Sequence, residues 1–158
     1  MKGNPKIIER LNETLRAEFT AIHQYFIHAE MQENWGYGKL GDFIKKQSID
    51  EMKHAEKLIE RILYLDGVPD MGSLNPMKVG TDVKSQLEYD LELEVEAVGQ
   101  LNSAIEDAIA AKDNGSRELF ALILVDEEEH IDWLEAQMQA IEDMGLGTYL
   151  SQQLKVGE

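Results

Sequence analysis

The chain of 158 residues has no cysteine. That excludes a disulfide framework, an iron–sulfur cluster and a Cys-ligated zinc, and it fits a reducing compartment. Proline is scarce: only Pro5, Pro69 and Pro76 occur, so most of the chain has no strong helix breaker. No run of about 18 apolar residues exists, so no transmembrane helix and no membrane partner are expected. No apolar segment follows Met1-Lys2-Gly3-Asn4-Pro5-Lys6, so no signal peptide is expected and the expected location is cytoplasmic. Basic residues are also few. Lys and Arg number 15 against 31 Asp and Glu, a formal charge of −16. Such a balance repels phosphate backbones and argues against nucleic acid. It attracts small cations, although solubility alone accounts for it.

What is present is helical periodicity in four long segments. Asn4-Pro5 reads as an N-cap followed by Pro at the first helical position. The expected bundle helices cover about 5–34, 39–66, 82–111 and 116–144 of a single domain spanning 1–158. Gly36-Tyr37-Gly38 and Asp113-Asn114-Gly115 are short turns, with Ser116 as cap of the fourth helix. Gly67 and Pro69 stop the second helix. A short helix at about 148–154 follows Gly145 and Gly147. The two short turns make antiparallel hairpins. Residues 67–81 read as a loop that can stretch to roughly 50 Å. That matches helices roughly 42–45 Å long, so the loop can cross the whole bundle and set the second and third helices parallel.

The inward stripes carry charges. The first helix shows Leu11, Leu15, Glu18, Ile22, Tyr25 and Ala29; the third shows Leu87, Leu91, Glu94, Val98, Leu101 and Ile105. The second carries Glu51 and His54 between Ile44 and Leu58, and the fourth carries Glu127 and His130 between Ile123 and Leu134. A lone buried carboxylate costs several kcal/mol or is driven neutral. Four in one core need cations, and no Lys or Arg falls on these stripes at that level. Two divalent ions would balance four carboxylates with both imidazoles neutral. Residues i and i+3 differ by about 60° around a helix and about 4.5 Å along it. Each Glu-x-x-His can therefore offer a carboxylate and an imidazole to one ion. One Glu-x-x-His alone is usually a solvated surface pair. Here an offset of 76 residues superposes Glu18 on Glu94, Glu51 on Glu127 and His54 on His130. The same offset matches Leu11, Ala21, Gln24, Glu30, Asp50 and Leu58 to identical residues. One helix hairpin is used twice about a pseudo-twofold axis between two metals. Oxygen-rich ligation with two imidazoles suits iron or manganese, and Fe(II) oxidation is the leading chemistry.

The chain resembles bacterioferritin nearly end to end. The resemblance is carried by Tyr25-Phe26, by Ser48-Ile49-Asp50-Glu51-Met52-Lys53-His54-Ala55, by Ile59-Glu60-Arg61-Ile62-Leu63, and by Asp126-Glu127-Glu128 through His130-Ile131-Asp132-Trp133-Leu134-Glu135. It implies an all-α, ferritin-like four-helix bundle with one long crossover loop and a short C-terminal fifth helix. It implies a ferroxidase with two iron ions per subunit on Glu18, Glu51, His54, Glu94, Glu127 and His130, oxidising Fe(II) with dioxygen or hydrogen peroxide. It implies a shell of twenty-four subunits built from dimers that stores a ferric mineral, with an electron-donor protein as a partner for iron release. It also implies b-type haem between paired subunits, with Met52 as axial ligand. Met52 is about 100° from Glu51 and about 160° from His54 around the helix, on an outer stripe with Ile49, Ile59 and Leu63. An apolar interface residue would also fit there.

One departure is Lys46, where some relatives carry a His that binds iron on the cavity wall with the acid at Asp50; Lys46 is a poor ligand. Tyr25 shares the side of Glu18 and reads either as core or as a partner of the centre. Asp50 and Asp126 lie about 40° from His54 and His130 on their own helices, where they can accept the outer imidazole proton. His23 and His28 sit off the Glu18 face and read as surface or interface residues. Trp35 and Trp133 read as packing. Two alternatives stand beside iron storage. A rubrerythrin-like peroxidase usually adds a Cys-ligated iron domain, which a chain without Cys lacks. A haem-carrying ferritin-like protein without a storage role would not need six intact ligands.

Overall fold

In the computed structural model of the protein, which describes residues 1–155, the Asn4 side chain accepts the Lys6 N–H and Pro5 takes the first helical position. Residues 156–158, the end of the expected domain, lie outside the described residues. Five helices follow: α1 Pro5–Asn34, α2 Gly38–Tyr64, α3 Val83–Ala110, α4 Asn114–Met144 and α5 Leu146–Ser151. No strand occurs among the described residues. The fold is an all-α, ferritin-like four-helix bundle with a short fifth helix.

The helix ends show why the bounds differ from those expected. α1 and α3 close with the same hydrogen-bond pair. The Tyr37 N–H reaches Gln32 O and the Gly36 N–H reaches Glu33 O, as Asp113 reaches Ala108 O and Lys112 reaches Ile109 O. This is the Schellman closure, which needs a left-handed residue. Gly36 supplies it at φ 91°, while Lys112 adopts φ 56° without a glycine's freedom. Gly36 and Lys112 are also related by the 76-residue offset, so the repeat extends into both hairpin turns. α2 ends the same way at Tyr64, two residues before the expected end, because Asp66 and not Gly67 takes the left-handed position at φ 60°. Ser116 is not the cap of α4. Asp113 is: its side chain accepts both the Ser116 N–H and hydroxyl and also binds Arg61. α5 begins at Leu146 rather than 148, directly after Gly145 at φ 82°.

The crossover between α2 and α3 is tied to one row of α1. Asn12 donates to Val68 O and accepts from Asp70 N; Thr20 accepts from Asn75 N, Gln24 from Lys78 N, and His28 from Gly80 N. With Arg16, which pairs with Asp70 at 3.6 Å, these residues recur every four positions, so each is a neighbour of the next along the helix surface. Asn12, Thr20, Gln24 and His28 satisfy backbone groups that a loop packed against a bundle would otherwise leave unpaired.

Two apolar clusters fill the bundle. One joins Leu11, Leu15, Leu58, Ile62, Leu101 and Phe120. The other joins Tyr25, Leu40, Ile44, Leu87, Leu134 and Ile141. On each bundle helix the ionisable residues of the inward stripe fall between these two clusters.

Candidate metal centre

The charged layer draws one residue from each of α1 and α3 and two from each of α2 and α4. Glu18, Glu51, Glu94 and Glu127 are almost fully buried, His54 is buried and His130 is half-buried. Their ligand atoms form two sets, each within 4.8 Å. One set is Glu18, Glu51, His54 and Glu127; the other is Glu51, Glu94, Glu127 and His130. Glu51 and Glu127 belong to both. Glu51 turns one oxygen toward His54 Nδ1 at 3.5 Å and the other toward His130 Nδ1 at 3.0 Å. Glu127 does the same at 3.2 and 3.4 Å. Two metal ions held by these sets would share Glu51 and Glu127, with Glu18 and His54 belonging to one set alone and Glu94 and His130 to the other.

Each of the six side chains has a buried oxygen or nitrogen with no protein hydrogen-bond partner. Buried polar atoms are normally paired. Among the described residues no Lys or Arg forms an ion pair with the four carboxylates; only the two histidines do. Without metal, protons must balance the charge. Burial pushes the carboxyls of Glu18 and Glu94 well above the usual carboxylate range, and the neighbouring acids push the same way. Burial opposes charge on His130, but Glu127, Glu51 and Glu94 outweigh it and push its pKa up to about 12. His54 is raised in the same manner by Glu127, Glu18 and Glu51. Burial would raise Glu127 too, yet its contacts with Glu94, His130 and His54 hold it below the usual range.

The partners of the outer imidazole nitrogens differ from expectation. Asp126 lies not beside its own-helix His130 but across the bundle, where it accepts from His54 Nε2 at 2.7 Å. Were a metal ion to replace the second ring proton, that bond would keep the remaining proton on Nε2 and leave the Nδ1 lone pair for the site. Asp50, the counterpart of Asp126, instead faces Lys53 at 3.7 Å. A pocket of about 310 Å³, bordered by Asp50, Lys53, Asp126 and Glu129, opens from solvent onto His54 and His130.

Other expectations divide. The Tyr25 hydroxyl donates to Glu94, so Tyr25 is both core and partner of the centre. Trp133 stacks on Phe43 at 4.1 Å between centroids, a packing role. Met52 stays outside the cluster, about half exposed on α2 with Ile49 and Leu63. Lys46 is exposed. His23 is at the surface, but His28 is not. It is fully buried, with Nδ1 at 2.9 Å from Asp90 Oδ1 and Nε2 accepting the Gly80 N–H. The crossover covers it, which periodicity of α1 alone does not reveal. In the sequence it belongs to a polar row, Asn12, Arg16, Thr20, Gln24, His28 and Gln32, whose four-residue spacing does not tell a water-facing side from a covered one.

The ferritin-like domain family matches residues 8–144. A bacterioferritin of Streptomyces coelicolor is 47% identical over 151 residues, covering 96% of this chain and 90% of that one. Bacterioferritin BfrA of Mycobacterium tuberculosis is 40% identical over 152 residues, 96% of each chain. A bacterial ferritin of Synechocystis is 43% identical over 155 residues, 98% of this chain and 99% of that one. With this family match and near-complete overlap with these relatives, the chain belongs to the ferritin-like family, among the bacterioferritins.

Proposed function

We propose that the protein stores iron and oxidises it on entry. In this reading Glu18, Glu51, His54, Glu94, Glu127 and His130 bind two Fe(II) ions as substrate. The observation that carries it is the convergence of six buried, unpartnered ligand atoms into two four-residue sets sharing Glu51 and Glu127. Two Fe(II) ions supply two electrons, enough to reduce dioxygen to hydrogen peroxide or hydrogen peroxide to water. The protein's part is to hold the ions adjacent and give up the protons on its ligands. Fe(III), the harder ion, passes to a mineral kept in the cavity of a closed cytoplasmic shell, expected to hold twenty-four copies built from dimers. An electron-donor protein would serve iron release.

The outer face of α2 supports the haem reading. Met52 is exposed beside Ile49 and Leu63, apolar surface that a monomer rarely leaves uncovered. A thioether there fits an axial ligand to a b-type haem shared with a second copy, one Met from each. Bound there, the haem supplies one-electron transfer.

Stopped-flow absorbance after mixing with Fe(II) and air tests the oxidation. Fast oxidation is expected in the wild type and its loss in Glu18→Ala, Glu94→Ala and His130→Ala. Wild-type rates in all three variants would remove the site from this role.

A further inference from the structure

Ten buried side-chain atoms among the described residues lack a protein hydrogen-bond partner. Six belong to the candidate metal ligands. Of the other four, Asp90 Oδ2 and Gln47 Oε1 belong to residues lining one small void, of about 10 Å³. Tyr25, His130 and Trp133 also border it. This is about the room that one water needs, and a buried water forms where several polar atoms await a donor. A water can donate to both orphaned oxygens.

Asp90 is built to keep one oxygen aimed there. It is fully buried, and its Oδ1 accepts from Gln24 Nε2 and from His28 Nδ1, both at 2.9 Å. Gln24 and His28 are themselves fixed by the crossover amides of Lys78 and Gly80. His28 Nε2 accepts a backbone N–H, so the ring is neutral with its proton on Nδ1. Oδ2 is left without a protein donor. The titratable groups facing Asp90 are His28 and Tyr25 from α1 and, across the void, His130 from α4; α2 contributes the uncharged Gln47.

We propose that this void is a single-water site held by Asp90 and Gln47, and that Asp90 receives through the water a proton released by the neighbouring centre. The water gives a proton to Asp90 Oδ2 and regains one from the centre's side, so one proton moves and no electron does. Metal uptake by protonated ligands must release protons. Burial raises the Asp90 carboxyl above its ordinary value, against the opposing His28 and Gln24 contacts, which suits it to hold one. The source of the proton rests on the iron reading; the water site does not.

A crystal structure of the assembled wild-type protein should show one water within hydrogen-bond reach of Asp90 Oδ2 and Gln47 Oε1. Infrared difference spectra on adding Fe(II) or the redox-inert Zn(II) should show a carboxyl gaining a proton, a band absent from Asp90→Asn. That variant keeps the Gln24 and His28 contacts through its amide oxygen but cannot take up a proton near neutral pH. Its kcat for Fe(II) oxidation should fall on the order of a hundredfold with KM unchanged, and the wild-type pH profile should flatten. If the variant does not fold, Gln47→Leu carries the kinetic test, since it removes the water and leaves Asp90 and its anchors. A dry void overturns the proposal, as do a wild-type rate and pH profile in Asp90→Asn or in water-free Gln47→Leu. Were the wild type to oxidise no iron, the functional reading would fail, and the density and the Zn(II) infrared band would still decide this one.

Discussion

His54 and Asp126 meet across the bundle at 2.7 Å, one from α2 and the other from α4. The bond holds the His54 ring so that Nδ1 faces Glu18, Glu51 and Glu127. Among the described residues no carboxylate makes such a bond to the outer nitrogen of His130; Asp50 turns toward Lys53 instead. The two halves of the centre repeat in sequence but not in their outer contacts.

Unequal support should appear as unequal metal affinity. Loss of a carboxylate behind a ligating imidazole typically costs about 10–100-fold in affinity. Asp126→Asn should weaken one of two Fe(II) sites by that amount in anaerobic calorimetry, and Asp50→Asn should change neither by more than about threefold. Equal losses in both variants would show that the His54–Asp126 bond does not support metal binding.

The metal-free protein should lose stability as pH rises. His54 and His130 bind their protons more tightly folded than unfolded, burial notwithstanding, because of the surrounding carboxylates. Their contribution is fully present below the unfolded value of 6.5 and is lost as pH climbs toward about 12 for His130. The raised carboxyls of Glu18 and Glu94 act in the same direction, starting from 4.5. Glu127, held low, has the opposite sign, and its contribution is lost as pH falls below 4.5. The apo melting temperature should therefore drop between pH 6.5 and 9, and two bound divalent ions per chain should abolish most of that drop. A flat apo profile over this range would contradict the charge balance described above.

Much of this was legible in the sequence because helices pack by periodicity. Glu18, Glu51, Glu94 and Glu127 interrupt apolar stripes at one level, and the 76-residue offset pairs them. The His54–Asp126 bond was not legible, since a helical wheel orders residues around one axis and is silent on which neighbour they meet. Nor was the burial of His28. A row of polar residues every four positions looks the same whether it faces water or the backbone of a crossover loop. Asp66 took the left-handed position beside an available Gly67 because the final turn of α2 closed sooner, a difference of hydrogen bonding and not of composition.

The His28–Asp90 pair should matter for stability more than a surface ion pair. Both side chains are fully buried. His28→Leu removes a donor from a buried carboxylate and an acceptor from the Gly80 N–H. Leaving a buried polar group without its hydrogen-bond partner costs about 1–3 kcal/mol, and this change strips a partner from two such groups. Chemical denaturation of the metal-free protein should show a loss of about that size, with faster hydrogen exchange at Gly80. A loss under about 1 kcal/mol would mean that the crossover is held mainly by its other contacts.

Met52→Leu should leave the iron site and the assembly intact while removing haem. Leucine keeps the apolar contact and most of the volume but has no thioether. The Soret band after haem reconstitution and the oxidation rate of the same sample report the two sites separately. Unchanged haem content would take Met52 out of its proposed role.

In the proposed centre six side chains hold two metal ions per chain. Anomalous diffraction from crystals soaked anaerobically in Fe(II) tests it most directly. Two iron peaks per chain are expected, one beside His54 Nδ1 and one beside His130 Nδ1, with Glu51 and Glu127 reaching both. Peaks only at the acidic surface, or no ordered iron among these residues, would contradict the two-metal centre.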